Sequence, residues 1–278
     1  MQNIFKDSSI NQAIEKNGFA VIPFIDSRIA EELKRFYASL PAAQGATGTH
    51  VTMFNPSSDY RRKVHEKISE LCGSRATQLT HGYRVLYTNF MIKEPGPEGN
   101  FPVHQDWTYV DEKQYTSIAF WIPLHDVDAR NGALHVVRGS HHFLTALRGP
   151  YVHEPFQHLS DVIKNHFSEP VNLKAGEALV WDHRLIHFSL PNLTSQPRLA
   201  FTLIMVPQQA PVCHCYGLPE SQGTLIELYE VDTEFYMHYT IGQRPQGVKL
   251  LTTIKQPALS FTPQQFETTY FRYNRPGC

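Results

Sequence analysis

Short apolar or alternating runs, separated by glycine, proline and asparagine, fill the middle of the chain from Gly82 onward. Runs of this kind predict β-strands. The predicted strands are Tyr83–Ile92, Tyr115–Pro123, Ala133–Val137, Val171–Leu173, Ala178–Trp181, Ile186–Ser189 and Leu199–Val206. Closely spaced strands with turn residues between them are typical of a β-sandwich or barrel, and not of a parallel α/β sheet.

The N-terminal part has a different pattern. A short helix over Ile10–Lys16 should end at Asn17-Gly18, and a β-prone stretch follows over Phe19–Ile25, with Pro23 indicating an edge strand. Asp26 then caps a helix that reaches about Leu40. Because no linker divides the chain, we expect a single domain over residues 1–278. It would comprise N-terminal helical support (about 1–80), a β core (about 81–210) and a C-terminal extension (about 211–278).

Composition and charge narrow the choice of function. The 278 residues are 41% hydrophobic and 18% charged, with 25 Lys+Arg against 26 Asp+Glu. A net charge of -1 argues against a nucleic-acid partner or a polybasic membrane contact, since both require a strong positive field. No apolar run approaches the roughly 18 residues of a membrane span, and no signal peptide is visible. The four cysteines predict reduced thiols rather than a disulfide scaffold, so we expect a cytoplasmic protein with a small-molecule partner and an oligomeric state that the sequence leaves open.

Two neighbourhoods carry candidate chemistry. On an extended strand His104 and Asp106 would leave the same face, so an imidazole and a carboxylate could approach one metal ion. A closed β fold could add a histidine from the second neighbourhood, either His183 or His187. Two histidines and one carboxylate with open positions are typical of non-haem Fe(II) oxygenases. Arg198, at the start of the next predicted strand, could meet a carboxylate if it is buried.

These stretches resemble the phytanoyl-CoA dioxygenase-like family of Fe(II)- and 2-oxoglutarate-dependent oxygenases. The resemblance runs from Asn17 to about Val206 and is most specific in three blocks. The blocks are His104-Gln-Asp106, Asn131-Gly-Ala-Leu-His-Val-Val-Arg-Gly-Ser-His141, and Gly176-Glu-Ala-Leu-Val-Trp followed by His187-Phe-Ser189 and Arg198. It implies a double-stranded β-helix, or jelly-roll, core on which the N-terminal helices pack.

The resemblance also implies roles for residues of this chain. His104, Asp106 and His187 match the iron ligands, because the distal histidine of the family precedes Ser-x-x-Asn, which favours His187 over His183. Arg198 matches the residue that binds the far carboxylate of 2-oxoglutarate, with Ser189 beside it. Trp121 and Thr88 match further cofactor contacts, although Trp121 could be plain core and Tyr87 or Asn89 could replace Thr88.

The implied activity uses Fe(II), 2-oxoglutarate and O₂ to hydroxylate an unactivated C–H bond of a metabolite, with release of succinate and CO₂. An intact Asp106 favours hydroxylation over halogenation, because related halogenases have Gly or Ala there. Desaturation, ring formation and epimerisation use the same residues and stay open. Two other classes also stay open: a zinc or manganese hydrolase or isomerase on the same ligands, which would leave Arg198 without a purpose, and a non-catalytic jelly-roll binding protein.

The substrate is less constrained. The near-neutral charge weakens the case for an acyl-CoA substrate, and we expect a small polar or medium-sized metabolite. The dispersed cations are expected to solvate loops: Arg84, Lys93, Arg130, Arg138 and Arg148. Residues Ala42–Ser58 could form a mobile lid or an ordinary surface loop, and the aromatic-rich extension beyond Cys213 could wall the pocket or form a subunit contact.

Overall fold

The structure is a computed structural model that describes residues 3–41 and 47–274. The helices in this part of the chain are α1 (Ser8–Asn17), α2 (Ser27–Ala38), α3 (Ser58–Ile68), α4 (Ser74–Leu79), α5 (Ser160–His166), α6 (Thr233–His238) and α7 (Pro263–Tyr273). The strands are β1 (Phe19–Pro23), β2 (Thr49–Val51), β3 (Tyr83–Lys93), β4 (Phe101–His104), β5 (Ile118–Pro123), β6 (Leu134–Val136), β7 (Glu169–Val171), β8 (Glu177–Asp182), β9 (His187–Ser189), β10 (Arg198–Pro207), β11 (Cys213–Gly217), β12 (Leu225–Glu230) and β13 (Lys249–Lys255).

Two antiparallel sheets form the core. The larger has the order β1-β8-β5-β10-β3-β2 and the smaller has the order β4-β9-β6-β7. Strands that neighbour each other in space are far apart in sequence, as when β4 pairs with β9 so that His104 lies opposite His187. This arrangement is a double-stranded β-helix, and the predicted fold class is confirmed.

The central strand β10 shows how the sequence divides the two sides of the larger sheet. Leu199, Phe201 and Leu203 belong to the cluster that packs against the N-terminal helices. Ala200 and Ile204 point the other way, into the space between the sheets. All ten residues of β10 are buried, so the strand lacks the apolar–polar alternation of a solvent-facing strand.

The N-terminal elements form as their local signals predict. Gly18 ends α1 in the left-handed region at φ 86°, and the Asp26 side chain caps α2 by accepting from the Ile29 backbone N–H at 2.9 Å. Strand β1 lies at the edge of the larger sheet, paired only with β8, where Pro23 is tolerated.

Other elements differ from the prediction. Strand β4 and the three-stranded sheet β11-β12-β13 were not predicted, and the strand expected over Val171–Leu173 lies instead over Glu169–Val171. Within the described residues no helix is long and apolar enough to cross a membrane.

Candidate active site

A cavity of about 180 Å³ lies between the two sheets. Strands β3, β5 and β10 of the larger sheet form one wall, and β4 and β9 of the smaller sheet form the other. His104, Asp106, His187 and Arg198 are the charged or ionisable side chains among its described lining residues, apart from tyrosines. The two neighbourhoods singled out in the sequence therefore meet at one place in the fold.

His104, Asp106 and His187 converge on a common point. Each offers one ligand atom, and these atoms all lie within 4.8 Å of one another. The Asp106 Oδ1 atom is 3.7 Å from His104 Nε2 and 3.8 Å from His187 Nε2. Strand β4 ends at His104, so Asp106 lies just beyond the strand, but the two side chains still point to the same place.

Backbone contacts fix both imidazoles. His104 Nδ1 pairs with the Pro102 carbonyl at 2.8 Å, and His187 Nδ1 pairs with the Leu185 carbonyl at 3.0 Å. A carbonyl can only accept, so each Nδ1 carries the hydrogen, and in the neutral ring each Nε2 presents its lone pair to the centre. Metal-binding histidines are commonly oriented in this way.

Three hydrogen bonds hold Asp106, one at its carboxylate and two at its backbone. Asp106 Oδ2 accepts from Trp181 Nε1 at 2.8 Å, the Asp106 backbone N–H donates to the His183 carbonyl at 3.0 Å, and the Asp106 carbonyl accepts from Arg148 Nε at 2.6 Å. Burial alone would raise the pKa of Asp106, but the nearby His187 and His104 outweigh it and the pKa falls below its usual value. The site therefore favours a positive charge at its centre.

His183 lies on the other side of this carboxylate. Its Nδ1 is 2.7 Å from the Ser117 hydroxyl, and its Nε2 is 4.0 Å from Asp106 Oδ2, the oxygen that faces away from His104 and His187. It is fully buried and belongs to no metal-binding group found within the described residues. Of the two candidate histidines, the structure brings His187 into the cluster.

Arg198 lies at the closed end of the cavity. It is 2% exposed, and its Nε and Nη1 atoms have no hydrogen-bond partner within the described part of the chain. Its guanidinium lies 5.0 Å from the centre of the Trp121 ring, and burial lowers the pKa of Arg198 to about 9. A buried cation without an anion is costly, so this position fits an anionic ligand.

A second cation, Lys93, lies beside Arg198, and the sequence analysis missed its role. It pairs in register with Arg198 across β3 and β10, is fully buried, and donates to the Ser189 hydroxyl at 2.7 Å and the Leu190 carbonyl at 2.6 Å. Burial, with help from Arg198, lowers the pKa of Lys93 to about 7. The Ser189 oxygen accepts from Lys93, which leaves the Ser189 hydrogen available to a ligand of the cavity.

The expectation that the dispersed cations solvate loops is therefore wrong for Lys93. It is also wrong for Arg148, which is 1% exposed and forms an ion pair with Glu112 at 2.5 Å. In both cases hydrogen bonds to distant segments compensate the burial of the charge. Arg130, in contrast, is exposed and pairs with Asp128.

Thr88 does not reach the cavity. It lies on the opposite face of β3, where its hydroxyl donates to the His65 carbonyl at 3.3 Å. The two neighbours that were its alternatives, Tyr87 and Asn89, line the cavity instead. The assignment of Thr88 to the cofactor is thus wrong, because side chains of a strand alternate between its faces.

Three further polar atoms lie unpaired in the cavity wall. Asn89 Oδ1, Thr202 Oγ1 and Trp121 Nε1 are buried without a hydrogen-bond partner within the described residues. Thr202 lies opposite both Asn89 and Trp121 in the sheet register, so the three form one row across β3, β10 and β5. Unpaired buried polar atoms are uncommon, and a row of them facing a cavity indicates a ligand site.

Later parts of the chain complete the cavity. Tyr236, Tyr239 and Ile241 of the C-terminal extension line it, so this stretch walls the pocket. Helix α7, later in the same extension, packs elsewhere, with Phe266 against Phe156. Of the region predicted as a lid or loop, residues 42–46 lie outside the described residues, while Val51, Met53 and Phe54 line the cavity.

Comparisons with known proteins identify the family and the fold of the chain. Residues 14–200 match the family model of phytanoyl-CoA dioxygenase (PhyH), and the chain belongs to that family. The phytanoyl-CoA dioxygenase of Arabidopsis thaliana is 31% identical over 134 residues, which is 45% of this chain and 46% of that protein. Phytanoyl-CoA dioxygenase 1 of Oryza sativa subsp. japonica is 28% identical over 126 residues, 44% of each chain. The chain spans about half the length of the curated relatives it matches.

Solved structures share the fold at low sequence identity. The epimerase SnoN from nogalamycin biosynthesis, described as non-haem and α-ketoglutarate-dependent, has a TM-score of 0.52 at 16% identity over 91% of this chain and 97% of that chain. SnoN has also been solved with Fe³⁺, α-ketoglutarate and nogalamycin RO. HygX from Streptomyces hygroscopicus, solved with nickel, 2-oxoglutarate and hygromycin B, has a TM-score of 0.50 at 15% identity over 73% of this chain and 88% of that chain.

Proposed function

We propose that the protein is an Fe(II)- and 2-oxoglutarate-dependent dioxygenase acting on a small molecule. In this proposal His104, Asp106 and His187 hold the iron, and Arg198, with Ser189 and Trp121, holds 2-oxoglutarate. The observation that carries it is the combination of a two-histidine, one-carboxylate cluster with an unpaired buried arginine in one cavity. Neither feature alone would distinguish an oxygenase from another metalloenzyme.

The residues of the chain fit these groups. Two neutral imidazoles and one carboxylate on one side of a metal ion leave positions for further ligands, which is the arrangement of non-haem Fe(II) oxygenases. The unpaired N–H groups of Arg198 and the free hydrogen of Ser189 suit a carboxylate at the closed end. HygX and SnoN, which share this fold, have been solved with 2-oxoglutarate (α-ketoglutarate), which supports the same co-substrate here.

The bound iron would supply activation of O₂ for oxidation of a C–H bond. The overall reaction would consume one substrate, one 2-oxoglutarate and one O₂, and would yield hydroxylated substrate, succinate and CO₂. The contributions of the chain are to orient the two imidazoles through the Pro102 and Leu185 carbonyls, to hold the Asp106 carboxylate through Trp181, and to shield the site between two sheets.

A hydrolase or isomerase on the same metal would leave Arg198 buried without an anion, so the oxygenase is the better supported function. The test is anaerobic reconstitution with Fe(II), followed by 2-oxoglutarate and air, with succinate as the readout. We expect slow succinate release even without substrate. A protein that binds the metal but neither binds nor consumes 2-oxoglutarate would contradict the proposal.

Variants make the test specific. Asp106→Ala and His187→Ala should abolish Fe(II) binding and succinate release, whereas His183→Ala should be far milder because His183 lies outside the cluster. Arg198→Met should raise the KM for 2-oxoglutarate by roughly one to three orders of magnitude, since breaking one desolvated charge pair costs about 2–5 kcal/mol. Arg130→Met, at an exposed ion pair, is the matched control and should leave the KM unchanged.

A further inference from the structure

We infer that the substrate is an uncharged, largely apolar molecule that carries hydroxyl or carbonyl oxygens. The inference rests on the proposed function, because it concerns the substrate of that same cavity. It separates this class from acyl-CoA thioesters and phosphate esters, and also from amines.

The first support is the chemistry of the cavity mouth. The two most exposed of the described lining residues are apolar: Phe54 is 52% exposed and Ile241 is 39% exposed. Met53, Phe101 and Trp107 continue the same wall inward. The metal cluster and Arg198 account for the charged lining side chains within the described residues, and the proposed function assigns all of them to iron and 2-oxoglutarate. No charge of the described wall is left for the substrate.

The second support is that cations on the neighbouring segments already have partners. Arg61 is 4% exposed, and its Nη1 donates to the carbonyls of Met53 and Tyr239, so it ties two walls of the cavity together. Its Nε has no hydrogen-bond partner within the described residues, but the side chain is buried behind these two segments. Arg62 forms an ion pair with Glu234 on α6. A nucleotide diphosphate needs accessible, unshared cations; Arg61 is not accessible and Arg62 is not unshared.

Arg244, which follows the mouth residue Ile241, is similarly committed, since it pairs with Glu227.

The third support is a set of neutral polar groups inside the cavity. The Tyr87 and Tyr109 hydroxyls share one hydrogen bond at 2.5 Å, so one of the two hydrogens remains available. The Tyr239 hydroxyl is buried, and its hydrogen has no acceptor within the described residues. Hydroxyl or carbonyl oxygens of a substrate would satisfy these groups, and each hydrogen bond would contribute about 1 kcal/mol.

An amine is the strongest competing substrate, because aromatic rings attract cations. Such a contact contributes about 2 kcal/mol when desolvated, whereas the burial of an unpaired charge costs several kcal/mol. Apart from Asp106, the described cavity lining holds no carboxylate that could offset this cost. The balance therefore favours an uncharged substrate.

The three tryptophans of the chain provide the assay. Trp107, Trp121 and Trp181 all line the cavity, so intrinsic tryptophan fluorescence reports directly on its occupancy. The protein is loaded with Ni(II), which holds the site without turnover, and titrated first with 2-oxoglutarate. It is then titrated with three probes that share one chain: 1-decanol, decylamine and decanoyl-CoA.

We expect 2-oxoglutarate to change the fluorescence and 1-decanol to bind at least tenfold more tightly than either charged probe. Ile241→Lys, which places a cation at the mouth, should reduce the difference in affinity between 1-decanol and decanoyl-CoA. Leu193→Lys is the matched control, since Leu193 is 72% exposed and does not line the cavity. It should leave the tenfold preference unchanged.

The two proposals fail in different ways. Absence of a response to 2-oxoglutarate would overturn the proposed function. A normal response to 2-oxoglutarate, with charged probes binding as tightly as 1-decanol or with no probe binding, would overturn only the substrate class.

Discussion

The ion pair between Arg148 and Glu112 should be essential for stability and for the position of Asp106. The Arg148 side chain is 1% exposed and that of Glu112 is 6% exposed. Besides this pair, Arg148 donates through Nε to the Asp106 carbonyl and through Nη1 to the Ala146 carbonyl, both at 2.6 Å. Arg148→Met keeps much of the side-chain volume but removes all of these contacts.

The magnitude follows from what remains buried. Arg148→Met leaves the Glu112 carboxylate in the interior without a counter-charge, and removal of one partner of a buried pair costs about 3–5 kcal/mol. The matched control is Arg130→Met at the exposed pair with Asp128, where the side chains are 82% and 40% exposed. Exposed pairs contribute at most about 1 kcal/mol, so the control should unfold almost like the unaltered protein.

Urea unfolding of Arg148→Met, of Glu112→Met and of the double variant Arg148→Met/Glu112→Met, each compared with the unaltered protein, forms a double-mutant cycle. We expect the double variant to recover most of the loss, because replacing both members of a buried pair by apolar residues is often neutral. Both Arg148→Met and the double variant should bind Fe(II) more weakly than the unaltered protein, because the Asp106 carbonyl has lost its hydrogen-bond donor in each. The reasoning is refuted if Arg148→Met costs no more than Arg130→Met, or if the double variant loses the sum of the single effects.

Three other perturbations test separate contacts. Gly132→Ala should destabilise the fold by about 1–3 kcal/mol, because φ is +84° and the new Cβ would lie 2.5 Å from the Lys93 side chain. Gly247→Ala, at φ +70° in open space, is the control that measures the backbone strain alone. Equal losses of stability in the two variants would contradict the predicted clash at Gly132. Trp181→Phe removes the hydrogen bond to the proposed iron-binding carboxylate and should lower Fe(II) affinity by roughly 10–100-fold in a competition titration, so unchanged affinity would contradict that role. Burial lowers the pKa of His214 to about 3, so below pH 6.5 the unfolded chain binds a proton that the folded chain does not, and stability should fall by up to about 1.4 kcal/mol per pH unit between pH 6.5 and 3. In thermal unfolding, His214→Phe should reduce the dependence of stability on pH. An unaltered pH dependence would exclude His214 as its source.

A closed β fold and the His104–Asp106 pair could be predicted because each rests on a local signal, whereas the double-stranded β-helix and the choice of His187 came from the family resemblance. Alternating or apolar runs locate strands, and the His104-Gln-Asp106 block retains its spacing wherever the chain places it. The choice between His183 and His187 could not be made from strand phase. Strand β8 ends at Asp182 and β9 begins at His187, so His183 lies in the turn between them, where alternation does not apply.

Other assignments failed for reasons that only the assembled fold reveals. Whether Thr88 or Asn89 faces the cavity depends on counting alternate residues along β3. The pairing of β3 with β10 shifts register just beyond Tyr87, which makes such counting unreliable there. Lys93 is the last residue of β3, and a lysine at the end of a strand is expected to be exposed to solvent. Its burial depends on Leu190, 97 positions later in the chain, and on the absence of a side chain at Gly132.

Taken along its length, the cavity separates charge into three zones. Arg198 and the neighbouring Lys93 make the closed end favourable to an anion, Asp106 makes the middle favourable to a cation, and the described walls at the mouth contain no charged side chain. 2-Oxoglutarate carries two negative charges, so electrostatics would draw it past the mouth to the closed end. An uncharged substrate gains nothing from the closed end and gains most from the apolar mouth. Under the proposed function, the fold thus keeps co-substrate and substrate from exchanging places through the positions of Arg198, Lys93 and Asp106 and through the uncharged described walls of the mouth.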